Sequence, residues 1–96
     1  MKLSKTMRSV ILHWGEMGES WGVNRSVGQI HALLYLAGKP LTAEEIADTL
    51  FLARSNVSTS LKELQDWELI ERQHQMGDRR DFFTADSDLW AVLIKI

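Results

Sequence analysis

The sequence predicts a mainly α-helical domain with a small β-hairpin, and three observations predict it. Apolar residues recur at helical spacing in several stretches before Trp67. A strong helix-start signal stands at Thr42, in the middle of that region. After Trp67 the pattern becomes extended, turns at Gly77-Asp78 and returns. A length of 96 residues suits one compact domain and is too short for two.

The elements follow in order. Leu3, Met7, Val10, Trp14, Met17 and Trp21 recur in alternating steps of four and three, a helical stripe with the regularity of a packing seam. Gly15, Gly18 and Gly22 each weaken that helix by roughly 1 kcal/mol relative to alanine. It is expected to end near Gly22, with Val23 and Asn24 as a connection. A second helix is expected from Arg25 to Leu36, with Val27, Ile30, Leu33 and Leu34 as its apolar stripe. Gly38, Lys39 and Pro40 stop it. Thr42 and Glu45 then form a capping box, and Leu41 and Ile46 a hydrophobic staple. That helix is short, with Ile46, Ala47 and Leu50 inward. A break at Phe51-Leu52-Ala53 leads to another helix with Val57, Leu61 and Leu64 on one face.

Leu69 to Met76 and Arg80 to Thr84 read as the two strands of a hairpin. Asp86 then caps a last apolar helix containing Leu89, Trp90, Val92, Leu93, Ile94 and Ile96. A short helix joined tightly to a second and followed by a hairpin is the winged helix-turn-helix arrangement. The chain divides accordingly into an N-terminal helix and possible dimer seam (1–24), a helix-turn-helix (42–67), a wing (69–85) and the start of a C-terminal helix (86–96).

Composition removes several function classes. There is no cysteine, so disulfides, cysteine-based zinc fingers and thiol redox sensing are excluded. No apolar run approaches the roughly 20 residues of a membrane span, and no signal-peptide core stands at the N-terminus. A cytoplasmic protein is expected. His13, His31 and His74 are too scattered for a metal motif such as HExxH. No glycine-rich phosphate loop or nucleophile elbow is present. The expectation is a protein that is not an enzyme and uses no cofactor or metal. The acids Glu44 and Glu45 read as helix N-terminal charge and capping.

A net charge of −2 runs against nucleic-acid binding, but the distribution matters more. From Arg54 to Lys62 there is no acidic residue. With Val57, Leu61 and Leu64 inward, Ser55, Thr59, Lys62 and Asp66 lie on the opposite face. Asn56 and Ser58 flank that face, and Arg54 stands at the entry to the helix. Short polar side chains at a helix N-terminus suit base edges in a major groove, and the terminal N–H groups suit phosphate. The same residues would also serve a helix with an ordinary capped and solvated face. At the hairpin tip, Gly77-Asp78-Arg79-Arg80-Asp81 offers two arginines, with Asp78 and Asp81 able to hold a guanidinium by bidentate pairing. Alone, it could equally be a solvated polar turn.

The stretches RSVGQIHALLYLAGKPLTAEEIADTL and RSNVSTSLKELQDWELIER and the wing GDRRD resemble the MarR superfamily, specifically its GbsR-like branch, over roughly residues 20 to 90. The Asp78-to-Arg80 spacing matches the Asp-x-Arg wing pattern of that superfamily. The resemblance implies a recognition helix carrying Arg54, Ser55, Asn56, Ser58, Thr59 and Lys62, and a wing carrying Arg79 and Arg80. It further implies double-stranded DNA as partner, a homodimer on a palindromic operator, repression, and a small-molecule effector such as the choline sensed by some GbsR-like members. Two positions depart from the pattern: Phe51 stands where the family usually has glycine, and Ala53 where it has a capping serine. Phenylalanine is strained if the turn needs positive φ, and a lost cap costs about 1 kcal/mol.

Trp14, Trp21, Tyr35, Trp67 and Trp90 are many large aromatics for this length. They read as core and dimer packing, with an aromatic cage for a quaternary ammonium as the alternative. Trp67 is expected to anchor the recognition helix to the base of the wing. Two functions are therefore weighed: a sequence-specific DNA-binding transcriptional regulator, and a winged-helix module that binds protein without DNA.

Overall fold

The computed structural model describes residues 1–85; the predicted C-terminal helix from Asp86 onward lies outside the described residues. Helix α1 (Lys5–Ser20) is followed by α2 (Arg25–Ala37), β1 (Leu41–Thr42), α3 (Ala43–Leu50), α4 (Arg54–Asp66), β2 (Ile70–His74) and β3 (Asp81–Ala85). The strands form one antiparallel sheet in the order β1-β3-β2. This is the winged helix-turn-helix expected, with one addition. Beyond the hairpin there is a third strand, in which Leu41 pairs with Phe83 and Thr42 with Phe82. Two residues are too few to leave an alternating pattern in a sequence. Among the described residues, no helix is long and apolar enough to cross a membrane.

The helix boundaries have local causes. The Ser4 hydroxyl accepts from the Met7 N–H at 3.1 Å and starts α1. The Asn24 side chain accepts from the Ser26 N–H at 3.0 Å and starts α2. Gly38, at φ +67°, ends α2 in the left-handed region that glycine enters without a Cβ penalty. The core lies between α2, α3, α4 and the sheet. Ile30, Leu33, Leu41, Ile46 and Val57 are fully enclosed there, with Leu61, Leu64, Leu69, Ile70 and Phe83 around them, and Ile11 of α1 joins the same cluster.

The N-terminal helix packs differently from its stripe. Its buried line is Ile11 and Gly15, not the predicted seam. Leu3, Met7, Trp14 and Met17 are half-buried, whereas Val10 and Trp21 are exposed. The reason is the crossing of α1 over α2. A Cβ on Gly28 would lie 2.9 Å from the Trp14 carbonyl oxygen and 3.0 Å from the Gly15 Cα. The backbones therefore meet directly, and the large side chains are displaced to the edges of the contact. The Trp14 indole Nε1 donates to His31 Nδ1 across this crossing at 3.4 Å. His31 is buried, and desolvation holds its pKa below the ordinary value.

Among the described residues the tryptophans and Tyr35 are not fully buried core, and Trp90 lies outside those residues. Trp21 is 61% exposed, Trp67 46% and Tyr35 41%. Trp14, Trp21 and Trp67 line one apolar groove of about 340 Å³, with Met17 and Val27 beside them. Trp67 caps α4 through its backbone, whose N–H reaches the Glu63 carbonyl at 3.1 Å. The anchoring expected of its side chain falls to the buried Leu64, Leu69 and Ile70.

Two substitutions test this packing. Gly28→Ala forces a methyl group onto backbone atoms and should destabilise the fold by about 1–3 kcal/mol, read as a lower urea midpoint at unchanged slope. Phe51 is 92% exposed and sits at φ +57°. Phe51→Gly should stabilise by roughly 0.5–1 kcal/mol, the left-handed penalty less the extra chain entropy of glycine. Thermal unfolding checks it; a lower Tm would mean that the ring makes a contact worth more than the strain.

Candidate nucleic-acid interface

The helix-turn-helix begins at Thr42. Its hydroxyl accepts from the Glu45 N–H at 3.1 Å, and its own N–H donates to the Glu45 carboxylate at 3.0 Å. The predicted capping box is thus complete, and the bond from the Thr42 N–H, helped by the Thr42 hydroxyl 3.1 Å from the same carboxylate oxygen, pulls the Glu45 carboxyl below its ordinary pKa. Glu44 takes no part in it. The turn at the other end of α3 needs a left-handed residue, and Phe51 supplies it at φ +57°. The Leu52 N–H closes the turn on the Ala47 carbonyl at 3.0 Å. Ala53 occupies the N-cap of α4 without a side-chain cap bond. Both departures from the pattern that the sequence resembles are therefore structural costs at the entry to α4.

Helix α4 buries Val57, Ser60, Leu61 and Leu64. Arg54, Ser55, Ser58, Thr59 and Lys62 are exposed, all from the predicted set. The Thr59 hydroxyl donates to the Ser55 carbonyl at 3.0 Å, so its free lone pairs face outward as acceptors. Asn56 is placed otherwise. Its Nδ2 donates to the Ser26 hydroxyl of α2 at 2.8 Å, and its Oδ1 accepts from Ser60 at 3.4 Å. The amide is half-buried and bolts α4 to the start of α2.

The wing tip turns at Gly77, at φ +81°, and the Asp78 N–H donates to the Gln75 carbonyl at 3.1 Å. The Asp78 carboxylate accepts from Arg80 three times: from the backbone N–H at 2.9 Å, from Nε at 3.1 Å and from Nη2 at 2.8 Å. The Arg80 guanidinium also stands 5.5 Å from the centre of the Phe82 ring. Asp78 is thus the bidentate partner. Asp81 turns instead to Arg72 at 3.9 Å and His74 Nε2 at 3.5 Å. Arg79 is exposed.

Wing and α4 meet in a cleft of about 350 Å³ lined by Glu44, Arg54, Ser58, Gln65, Arg80 and Asp81, among others. It brings together Arg54, Ser58 and Arg80 from the predicted set; Ser55, Thr59, Lys62 and Arg79 are not among its lining residues. Glu44 and Gln65 were missed. Gln65 was detectable, because it continues the helical line Arg54, Ser58, Leu61. Glu44 was not, because its position depends on how α3 crosses α4.

This geometry defines a winged helix-turn-helix domain with a polar helix face beside a pinned arginine at the wing. The sequence profile of the MarR family matches residues 21–81, and the chain belongs to that family. It is 28% identical over 75 residues to the HTH-type transcriptional repressor GbsR of Bacillus subtilis, across 78% of this chain and 41% of that protein. It is 22% identical over 77 residues to the repressor OpcR of the same organism, across 80% of this chain and 42% of that one. The chain thus spans less than half the length of these relatives. A solved transcriptional regulator superposes with a TM-score of 0.84 at 25% identity, over 90% of this chain and 59% of its own. A MepR variant of S. aureus bound to an oligodeoxyribonucleotide superposes at 0.68 and 22% identity, over 94% of this chain and 64% of its own.

The Asp78–Arg80 pin has a pH signature. The Arg80 guanidinium first, and then the Arg80 backbone N–H, lower the Asp78 carboxyl from 3.8 to about 2. Since the folded value is depressed, the pin is complete above pH 4 or so and is lost as pH falls through about 2. An NMR titration of the side-chain carboxyl should show a midpoint near 2, moving upward in Arg80→Ala. A midpoint at the ordinary value in the wild type would mean an unpinned wing.

Proposed function

We propose that the protein is a sequence-specific DNA-binding transcriptional regulator, acting as a dimeric repressor on a palindromic operator. The observation that carries this reading is the convergence of Arg54 from α4 and Arg80 from the wing on one cleft, beside a solvent-facing row of short polar side chains. Two features support it further: the fold is shared with a MepR variant bound to DNA, and the relatives GbsR and OpcR are repressors. The alternative, a protein-binding winged helix, has the net charge of −2 in its favour. The pinned wing arginine and the acid-free start of α4 oppose it.

In this reading Arg54, Lys62, Arg79 and Arg80 neutralise phosphates and set the register. Ser55, Ser58 and Thr59 face base edges, Thr59 as an acceptor for the amino groups of adenine or cytosine. Asn56 positions the helix through Ser26 instead of reading bases. A two-fold dimer would set two α4 helices about 34 Å apart, one turn of DNA. The half-buried and exposed apolar residues of α1 offer a self-association surface, and the tryptophan groove offers a place for a small effector.

Selection of bound duplexes from a random pool tests the central claim. A palindromic consensus is expected; no retention of any duplex at low salt would transfer the weight to the protein-binding alternative. Thr59→Val or Ser55→Ala should shift the preferred sequence, at about 1–3 kcal/mol per lost base contact. Asn56→Ala should lower stability and leave the preference intact; the reverse outcome would return Asn56 to the reading face. Arg79→Ala and Arg80→Ala should weaken all sequences alike. Each should flatten the slope of log affinity against log salt by about 0.9 per lost phosphate contact per protomer. Unchanged slopes would remove the wing from the interface.

A further inference from the structure

Glu44 is the feature of the cleft that DNA binding leaves unexplained. The capping of α3 is done by Glu45. Glu44 lines the cleft instead, with its carboxylate 3.9 Å from Nη1 of Arg54. The other wing and cleft carboxylates are engaged elsewhere: Asp78 holds Arg80, and Asp81 lies against Arg72 and His74. A carboxylate therefore shares the cleft with the two guanidinium groups expected to meet phosphate, one from each half of the site, and lies beside Arg54.

We infer that Glu44 is an internal competitor for the DNA backbone: it occupies Arg54 in the free protein and holds down affinity for any duplex. The inference rests on the DNA-binding reading. The Arg54 and Glu44 side chains are 64% and 61% exposed, so their pairing is weak and readily exchanged. When a phosphate takes Arg54, the carboxylate is left unpaired near a polyanion. That repulsion is independent of base sequence, like the attraction it offsets. Glu44 thus acts on overall affinity and on the time spent on non-specific DNA, and leaves the preferred sequence alone. It also gives a physical role to part of the acidic balance of the chain, by placing one negative charge inside the basic face.

The test is Glu44→Gln, which keeps the size of the side chain and leaves the capping box untouched. Affinity for a random duplex at about 0.1 M salt should rise two- to fivefold, the scale of one exposed ion pair. The salt slope should steepen by up to about 0.9 per protomer. Glu16→Gln makes the same change of charge at an exposed position on α1 and should give a smaller gain. In an Arg54→Ala background the gain from Glu44→Gln should shrink by half or more. An unchanged or weaker affinity in Glu44→Gln overturns the inference, with the wild type still binding DNA. So does an equal gain from Glu16→Gln, or a gain that persists undiminished without Arg54. If the wild type retains no duplex at low salt, the DNA reading itself fails and takes the inference with it. Circular dichroism and Tm confirm that each variant is folded.

Discussion

Leu41 and Thr42 belong to both halves of this molecule, and its geometry depends on them. Their backbone pairs with Phe83 and Phe82 of the returning wing strand. The Thr42 side chain caps α3, and the Leu41 side chain is fully enclosed in the core. A wing attached only through the α4–β2 connection would be a two-stranded ribbon, which is marginal by itself. The third strand, short as it is, ties the far arm of the hairpin to the start of the helix-turn-helix. The distance between the wing arginines and the face of α4 is thereby determined, and with it the cleft.

The second constraint holds α4 from behind. Its apolar residues Val57, Leu61 and Leu64 are buried, and Asn56 bonds to Ser26 at 2.8 Å. The first sets the rotation of the helix about its axis; the second fixes how its N-terminal turn sits against α2. A polar bond of this kind is directional in a way that apolar contacts are not. The entry to α4 needs such support, because it lacks a side-chain cap at Ala53 and follows a strained Phe51.

Electrostatics are arranged in pairs and not as a basic field. Asp78 holds Arg80, Glu44 faces Arg54, Asp81 faces Arg72, and Glu19 holds Arg25 at 2.9 Å. Exposed pairs contribute little to stability. Their geometric effect is to orient guanidinium groups, and under the proposed DNA-binding reading they would also moderate the attraction of the face for polyanions. A chain of net charge −2 can carry a cationic site of this kind, because only the local charges of the face lie within a Debye length of a docked duplex.

By itself the sequence determined the four helices and the hairpin of the described residues, and their order. Apolar periodicity, the Thr42–Glu45 capping box, the stop at Gly38 and the turn at Gly77 are local signals, decided within a few residues of chain. The exposed face of α4 was legible for the same reason, since one helical stripe fixes its opposite. Tertiary structure decided what depends on residues far apart in the chain. The Gly15–Gly28 crossing moved the tryptophans from the centre of the α1 contact to its edges. A two-residue strand joined the wing to α3. Asn56 turned from the solvent face to Ser26, thirty residues earlier, and Glu44 met Arg54. Each is a meeting of two elements. Spacing within one element fixes the direction of a side chain relative to its own axis, and only the packing of axes against each other fixes what it meets.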